Sequence, residues 1–215
     1  GNDVTVDGLS ILADDVGIDV LTANTVNIDN TAITTDADAG AADGVAITND
    51  AEVSIDGSFI GDHTGAAAVA TGVSVNSPDA GLSISSDTQL DGGSGTGVNI
   101  QNVAPTSVDI DGTVVNFATG VFVNADTTVT IDGIIADNAE RGVDVASAAD
   151  VTVSDIAEIS RNGAAGIRMN NVDATLDVDQ ATVEDNGAAG IQLDAVDGEN
   201  TNVTRTAFSG NDVGV

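Results

Sequence analysis

The chain has no cysteine, no lysine, no tryptophan and no tyrosine among its 215 residues. Without cysteine it forms neither disulfides nor thiolate metal sites. Four basic residues, all arginine, stand against 35 acidic residues, for a formal net charge of −31. Nucleic acid and anionic membrane surfaces reward clustered basic residues, so both are excluded as partners. No apolar run reaches the length of a membrane span, so we expect no membrane insertion.

Aromatic residues are limited to four phenylalanines, and His63 is the single histidine. Carbohydrate clefts commonly use aromatic faces for stacking, and zinc sites use several histidines or cysteines. The composition therefore argues against a sugar-processing enzyme and against a zinc site.

Glycine followed by alternating aliphatic residues recurs nine times, at intervals of 22 to 28 residues. Such a period is typical of repeat proteins. The glycines are Gly17, Gly44, Gly72, Gly97, Gly120, Gly142, Gly166, Gly190 and Gly214. Because the repeat spans the whole chain, we predict one domain over residues 1–215. Residues 1–96 form looser coils with long loops at 34–43 and 61–71, and residues 97–215 form regular coils.

Two further alternating runs precede each glycine, and alternation is the signature of strands. The first runs extend from Val4-Thr5-Val6 to Val203-Thr204-Arg205. The second runs centre on Ile11, Ile33, Ile60, Leu90, Val115, Ile135, Ile159, Val183 and Phe208. Three strands per repeat with no crossover helix predict an all-β fold, a parallel β-helix with three sheets and about nine coils of 22–28 residues. With strands about 4.8 Å apart, its length is roughly 40 Å.

The residues between the runs predict how the coil turns its corners. Gly or Asn follows Asp at the end of five first runs, at Gly8, Asn30, Gly57, Gly112 and Gly133. We expect positive φ at these five positions. Asparagine recurs three residues after the second-run centre at Asn138, Asn162, Asn186 and Asn211. We predict that these amides hydrogen-bond from coil to coil, and that the repeated glycine allows close backbone packing at the third corner.

The inward aliphatics, the asparagine column and segments such as Ile159-Ser160-Arg161-Asn162-Gly163 resemble the right-handed parallel β-helix repeats of the pectin-lyase-like superfamily. Within it, the chain is most similar to the repeat region of a secreted bacterial or archaeal surface protein or adhesin. The resemblance implies a right-handed coil. It implies little about activity, because the superfamily includes lyases, hydrolases, tailspikes and adhesins.

Aspartate accounts for nearly all the acidic charge, and two patterns of it predict cation binding. Five aspartates share the first corner, Asp7, Asp29, Asp56, Asp111 and Asp132, and Asp36 and Asp38 have the alternate spacing of a calcium loop. Neighbouring carboxylates about 4.8 Å apart repel by roughly 1 kcal/mol even in water. We therefore predict that these residues bind calcium or other cations, against the alternative of solvated turn aspartates.

Two groupings leave a catalytic alternative open. Asp109, Asp111 and Asp132 could supply the paired carboxylates of a glycoside hydrolase. Arg168 with Asp144 and Gln192 is the only grouping that suits a polysaccharide lyase.

The composition and the repeat together favour a non-catalytic, extracellular or cell-surface module with a structural or adhesive role. We expect a rigid acidic spacer or filament-forming segment with a cation-binding outer face. The chain opens on a first-type strand and closes on a third-type strand, so we expect a segment of a longer array or end-to-end self-association. Surface polysaccharide is a further expected partner.

Overall fold

The structure is a computed structural model that describes residues 2–35, 42–61, 69–101, 106–147, 149–154, 156–171, 173–194 and 200–215. In these residues, 26 strands form three parallel sheets, named A, B and C here. Successive strands enter the three sheets in turn, so that each of the first eight coils contributes one strand to each sheet. The ninth coil contributes strands to sheets A and B, and its third run makes only an isolated bridge from Val213 to Ala189. The predicted all-β parallel solenoid with three sheets is confirmed.

The strands of each sheet follow one another in coil order. Sheet A has nine described strands: β1 (Asp3–Asp7), β4 (Thr25–Asp29), β7 (Glu52–Asp56), β10 (Gly81–Ile84), β13 (Ser107–Ile110), β16 (Thr128–Ile131), β19 (Asp150–Ser154), β22 (Thr175–Asp179) and β25 (Thr201–Thr204). Sheet B has nine: β2 (Ser10–Ala13), β5 (Ala32–Thr35), β8 (Phe59–Gly61), β11 (Gln89–Asp91), β14 (Thr113–Val115), β17 (Ile134–Ala136), β20 (Glu158–Ser160), β23 (Thr182–Glu184) and β26 (Ala207–Ser209). Sheet C has eight in the described ranges: β3 (Val16–Val20), β6 (Ala42–Ile47), β9 (Val69–Val75), β12 (Thr96–Gln101), β15 (Thr119–Asn124), β18 (Arg141–Val145), β21 (Ile167–Met169) and β24 (Ile191–Leu193).

Columns of aliphatic side chains form the core, because alternate residues of every strand point inward. In sheet A, Val26 pairs with Val53, and both are buried. In sheet B, the inward column continues from Leu90 to Val114. The prediction of Val115 as a strand centre is therefore wrong by one residue, since Val114 is fully buried and Val115 is half-buried.

The ninth strand of sheet A also differs from the prediction. Val203 pairs with Val178 rather than with Leu176, whose partner is Thr201. The first run of this coil is therefore Thr201-Asn202-Val203, two residues earlier than expected. A threonine occupies the first inward position, which removes the aliphatic signal from the sequence.

The recurring glycines form a column at the start of the sheet C strands. A Cβ built on Gly142 would lie 2.6 Å from the carbonyl oxygen of Gly166 and 2.8 Å from Nδ2 of Asn162. A Cβ built on any glycine of the column from Gly17 to Gly190 would lie 2.5 to 2.7 Å from the carbonyl oxygen of the next glycine. No side chain fits at these distances, so the predicted close packing is confirmed.

The first corner uses glycine in two ways. Gly8, Asn30 and Gly57 adopt φ values of 64°, 47° and 52°, as predicted. Gly112 and Gly133 do not adopt positive φ, so that part of the prediction is wrong. They are required instead by a close approach, because a Cβ on Gly133 would lie 2.1 Å from the carbonyl oxygen of Gly112.

The predicted asparagine ladder is confirmed along Asn138, Asn162, Asn186 and Asn211. Nδ2 of each donates to Oδ1 of the next at 3.0, 2.9 and 2.9 Å. Each Nδ2 also donates to a backbone carbonyl, as Asn162 does to Ile135 at 3.2 Å. The first three asparagines are buried, so the ladder satisfies backbone groups that water does not reach.

Earlier coils satisfy their corners with other groups, which the sequence analysis missed. Phe117 takes the ladder position before Asn138 and donates its backbone N–H to Oδ1 of that residue at 3.0 Å. At the first corner, Thr31, Ser58 and Thr88 form a buried hydroxyl ladder. The backbone N–H of Thr31 donates to Ser58 Oγ at 3.1 Å, and that of Ser58 donates to Thr88 Oγ1 at 3.3 Å.

The predicted long loops lie mainly outside the described residues. β5 extends to Thr35 and β6 begins at Ala42, while β8 ends at Gly61 and β9 begins at Val69. Strands therefore occupy both margins of the predicted loops at 34–43 and 61–71. In the described part of the chain, no helix has the length and apolar character to cross a membrane.

Candidate functional site

Five of the aspartates predicted to bind cations lie in one column at the first corner: Asp7, Asp29, Asp56, Asp111 and Asp132. Asp29 pairs in register with Asp7 on one side and with Asp56 on the other. Asp111 and Asp132 directly follow the paired strands β13 and β16. Ser85 separates the two groups. The register therefore places these carboxylates side by side along the coil axis.

Neighbouring polar side chains already contact several carboxylates of this column. Asn30 Nδ2 donates to Asp7 at 3.4 Å, and Ser154 Oγ donates to Asp132. Further along, Asp179 accepts a bond from Arg205 Nε at 2.8 Å. The hydrogen bond from Arg205, with one from a threonine hydroxyl, lowers the pKa of Asp179. The chain thus supplies partners for these groups from its own adjacent coils.

Asp111 and Asp132 meet at an open hollow of about 540 Å³, lined also by Ser86, Ile156 and Gln180. Burial raises the pKa of Asp111, and the negative charges of Asp132 and Asp109 raise it further. Ile156 is 84% exposed at the rim. Two of the predicted site residues, Asp111 and Asp132, thus repel each other at the edge of a concave surface.

The outer face of sheet C brings together the three residues of the lyase grouping. Arg168 pairs in register with Asp144 on one side and Gln192 on the other. Arg168 Nε donates to Asp194 Oδ2 at 2.9 Å, and its Nη1 lies 3.6 Å from Asp144 Oδ1. Gln192 donates to both carboxylate oxygens of Asp194. The guanidinium of Arg168 and the amide of Gln192 lower the pKa of Asp194.

Sequence reasoning missed Asp194, although it is the strongest partner of Arg168. It directly follows β24, one coil beyond the arginine. Its position two residues after Gln192 on the same strand side was the signal available. Asp144 is only 7% exposed, and its Oδ1 has no hydrogen-bond partner among the described residues.

All four arginines of the chain form ion pairs, and three of them join neighbouring coils. Arg161 donates to both oxygens of Asp137 at 2.9 and 3.0 Å. Arg168 and Arg205 make the other two inter-coil links. Arg141 Nη1 lies 3.3 Å from Asp144 Oδ2. Each guanidinium is therefore held by carboxylates of the protein itself.

No group of three or more His, Cys, Asp or Glu side chains in the described residues is arranged to hold a metal ion. Asp36, Asp38 and His63 lie outside those residues. The predicted roles of Asp7, Asp29, Asp56, Asp111 and Asp132 in cation binding therefore stay predictions.

Residues 80–215 match the family described as NosD, periplasmic copper-binding protein. Neither the curated proteins nor the solved structures compared with the chain gave a match.

The prediction of calcium as the bound cation is wrong. The matched family is described by copper rather than calcium, and the described residues contain no metal-binding group. The physical reason lies in the column itself. Calcium takes six to eight oxygens around one point, whereas the coil supplies one carboxylate per step along a line.

The match covers more than half of the chain, and its repeats are parallel β-helix repeats of the pectin-lyase-like kind. This confirms the resemblance seen in the sequence. A periplasmic family also agrees with export from the cytoplasm. The chain therefore belongs to the NosD family of periplasmic copper-binding proteins.

Proposed function

We propose that this chain is a non-catalytic module at the cell surface that acts as a stiff, acidic spacer. The observation that carries the proposal is the continuity of its ladders. Parallel strands pair from the first described coil to the last, with one register shift between β6 and β9. The Asn138–Asn211 ladder, buried at its first three members, links the last four coils side chain to side chain. Bending such a coil would break several hydrogen bonds at once.

The surface charge supports the same role. A net charge of −31 on 215 residues keeps the module soluble and repels other acidic surfaces. The four arginines relieve this repulsion only locally, within a coil or between neighbouring coils, as in the pair Arg161 with Asp137. The outer surface therefore keeps a strong negative field, which suits a spacer that must stay extended and unaggregated.

The contacts of the catalytic candidates favour a non-catalytic reading over the polysaccharide-degrading alternative. A lyase needs an uncommitted base beside its substrate, but Arg168 is held between Asp144 and Asp194. A glycoside hydrolase needs two carboxylates free to face one sugar bond. Asp132 instead accepts a hydrogen bond from Ser154.

The outermost coils carry apolar side chains that inner coils bury. Val4 at one end is exposed, whereas its register partner Val26 is buried, and Val215 at the other end is exposed as well. Further coils stacked on these ends, from a longer chain or from a second copy, would bury them and pair the open strand edges. End-to-end association is therefore part of the proposed spacer role.

Distances between paired spin labels test the stiffness. Thr5→Cys with Asn202→Cys places labels on exposed positions of one outward row, eight coil steps apart, at about 38 Å between backbones. Ser83→Cys with Asn202→Cys is the matched control, five steps and about 24 Å apart. The native chain has no cysteine, so only these positions react. Double electron–electron resonance should give narrow distributions that differ by three coil steps at low and high salt.

A broad distribution, or distances that change with salt, would refute a stiff spacer.

Catalysis is tested separately by incubating the chain with a panel of neutral and acidic polysaccharides. We expect no turnover, and release of unsaturated or reducing ends by the native chain would refute the non-catalytic role. Retention on an immobilised polysaccharide without turnover would support the adhesive form of the proposal.

A further inference from the structure

The residues that match the copper-binding family contain almost none of the side chains that bind copper. Protein copper sites are built mainly from histidine nitrogen and from cysteine or methionine sulfur. Between residues 80 and 215 the chain has no histidine and no cysteine, and Met169 is its one methionine. His63, the single histidine, precedes the matched region.

Met169 does not offer its sulfur to a metal. It lies in β21, between Val145 and Leu193 in the inward column of sheet C. Its exposure is 0%, and it belongs to the continuous hydrophobic core. Copper could reach this thioether only if the coil opened and the surrounding core were lost.

The matched region is instead rich in residues that build the coil. It contains five glycines of the close-packed column and the whole asparagine ladder. It also contains the inward aliphatics of the regular coils. These residues pack against neighbouring coils rather than facing solvent. The coil therefore requires them whatever the outer surface binds.

From these placements we infer that this chain shares the β-helical coil of its family and has no specific copper site. Carboxylates are the remaining donors, and in the described residues they form no group of three arranged for a metal. Copper ions are therefore held only as counter-ions of a polyanion. Salt removes such binding, because the Debye length falls to about 3 Å at 1 M. This inference does not rest on the proposed spacer role.

Equilibrium dialysis against Cu²⁺ at 20 mM and 1 M NaCl tests the inference on the full chain. The variants are His63→Ala and a matched gain-of-site control with Asp109→His, Thr130→His and Thr152→His. These three positions are neighbours in register on the outer face of sheet A. We expect the native chain and His63→Ala to lose bound copper equally, by about tenfold or more, as salt rises. The triple variant should retain it.

Electron paramagnetic resonance of the bound Cu²⁺ gives a second readout. The native chain should show oxygen ligands only, whereas the triple variant should show nitrogen couplings. The inference is overturned if the native chain keeps one equivalent of copper at 1 M NaCl or shows nitrogen couplings. It is also overturned if the native chain withdraws Cu⁺ from a colorimetric chelator, which would require its sulfur or imidazole.

Discussion

Replacing Asn162 with alanine should remove the central link of the asparagine ladder. The side chain is 1% exposed. Its Oδ1 accepts from the backbone N–H of Asn138 at 3.2 Å and from the side-chain amide of Asn138 at 3.0 Å. Its Nδ2 donates to Asn186 Oδ1 at 2.9 Å and to the Ile135 carbonyl at 3.2 Å. This single truncation therefore removes the hydrogen bonds that the Asn162 side chain makes with three other residues, Asn138, Ile135 and Asn186.

The cost follows from which buried groups lose a hydrogen-bond partner. The backbone N–H of Asn138 loses its acceptor, Asn162 Oδ1, and the carbonyl of Ile135 loses one donor, Asn162 Nδ2. Asn186 Oδ1 still accepts the backbone N–H of Asn162 at 3.1 Å. Each buried group left unpaired costs about 1 to 3 kcal/mol. With about 1 kcal/mol added for the hydrogen bond lost at Ile135, we expect Asn162→Ala to lower the free energy of unfolding by about 2 to 4 kcal/mol, a large part of a typical domain stability.

Urea unfolding followed by far-ultraviolet circular dichroism measures this loss, because the chain has no tryptophan or tyrosine to report by fluorescence. Asn202→Ala is the matched control. Asn202 is exposed, and it makes one side-chain hydrogen bond, to Asp177 at 2.9 Å. It should cost less than about 0.5 kcal/mol. Hydrogen exchange at the Asn138 amide should accelerate in Asn162→Ala alone. If the two variants unfold within 1 kcal/mol of each other, the ladder does not stabilise the coil as argued.

Two further predictions use the same unfolding assay. Gly142→Ala should destabilise by about 2 to 3 kcal/mol, since the added methyl meets backbone that cannot move aside, whereas Gly214→Ala should be neutral because nothing lies within 4 Å. Equal effects would contradict the packing argument. Asp111→Asn should stabilise by about 0.5 to 1 kcal/mol at pH 7 and low salt, and not in 1 M NaCl. Because the folded-state pKa of Asp111 is raised, its contribution to stability falls as pH rises through that pKa, and the variant should lack this decline. Asp126→Asn, at an exposed position, is the matched control and should not stabilise the chain at low salt.

The fold could be predicted because its strongest signals are local and repeated. A glycine column such as Gly120 and Gly142 leaves a fixed period in the sequence, and so does the pair Asn162 and Asn186. The glycine signal has a packing reason along the whole column, as in the 2.7 Å approach of Gly142 O to a Cβ built on Gly120. The asparagine signal acts only in the last four coils, through the ladder from Asn138 to Asn211. Prediction failed where one coil substitutes a different residue. Thr201 at an inward position displaced the expected strand by two residues.

The contacts of the candidate site could not be predicted, because they depend on side chains in neighbouring coils. Asp194 binds Arg168 from a position 26 residues away. The local sequence places Asp194 on the same side of the strand as Gln192, but it does not mark that carboxylate as the partner of Arg168. The wrong prediction of calcium has another cause, because the sequence already placed Asp7 and Asp29 about 4.8 Å apart in one column. Such a column supplies one carboxylate per coil, whereas calcium takes six to eight oxygens around one point.

The packing of the coil restricts which residues can occupy its inward and corner positions. It places no such restriction on the residues at outward positions. The outward row of sheet A makes this concrete, since Thr130, Thr152 and Asp177 occupy equivalent positions. A family match that depends on coil-forming residues therefore establishes the architecture of a chain. The chemistry of the outer surface has to be determined for each chain separately. In this chain the outward surface carries the charge of −31. Its interactions should accordingly respond to ionic strength before they respond to the identity of any one cation.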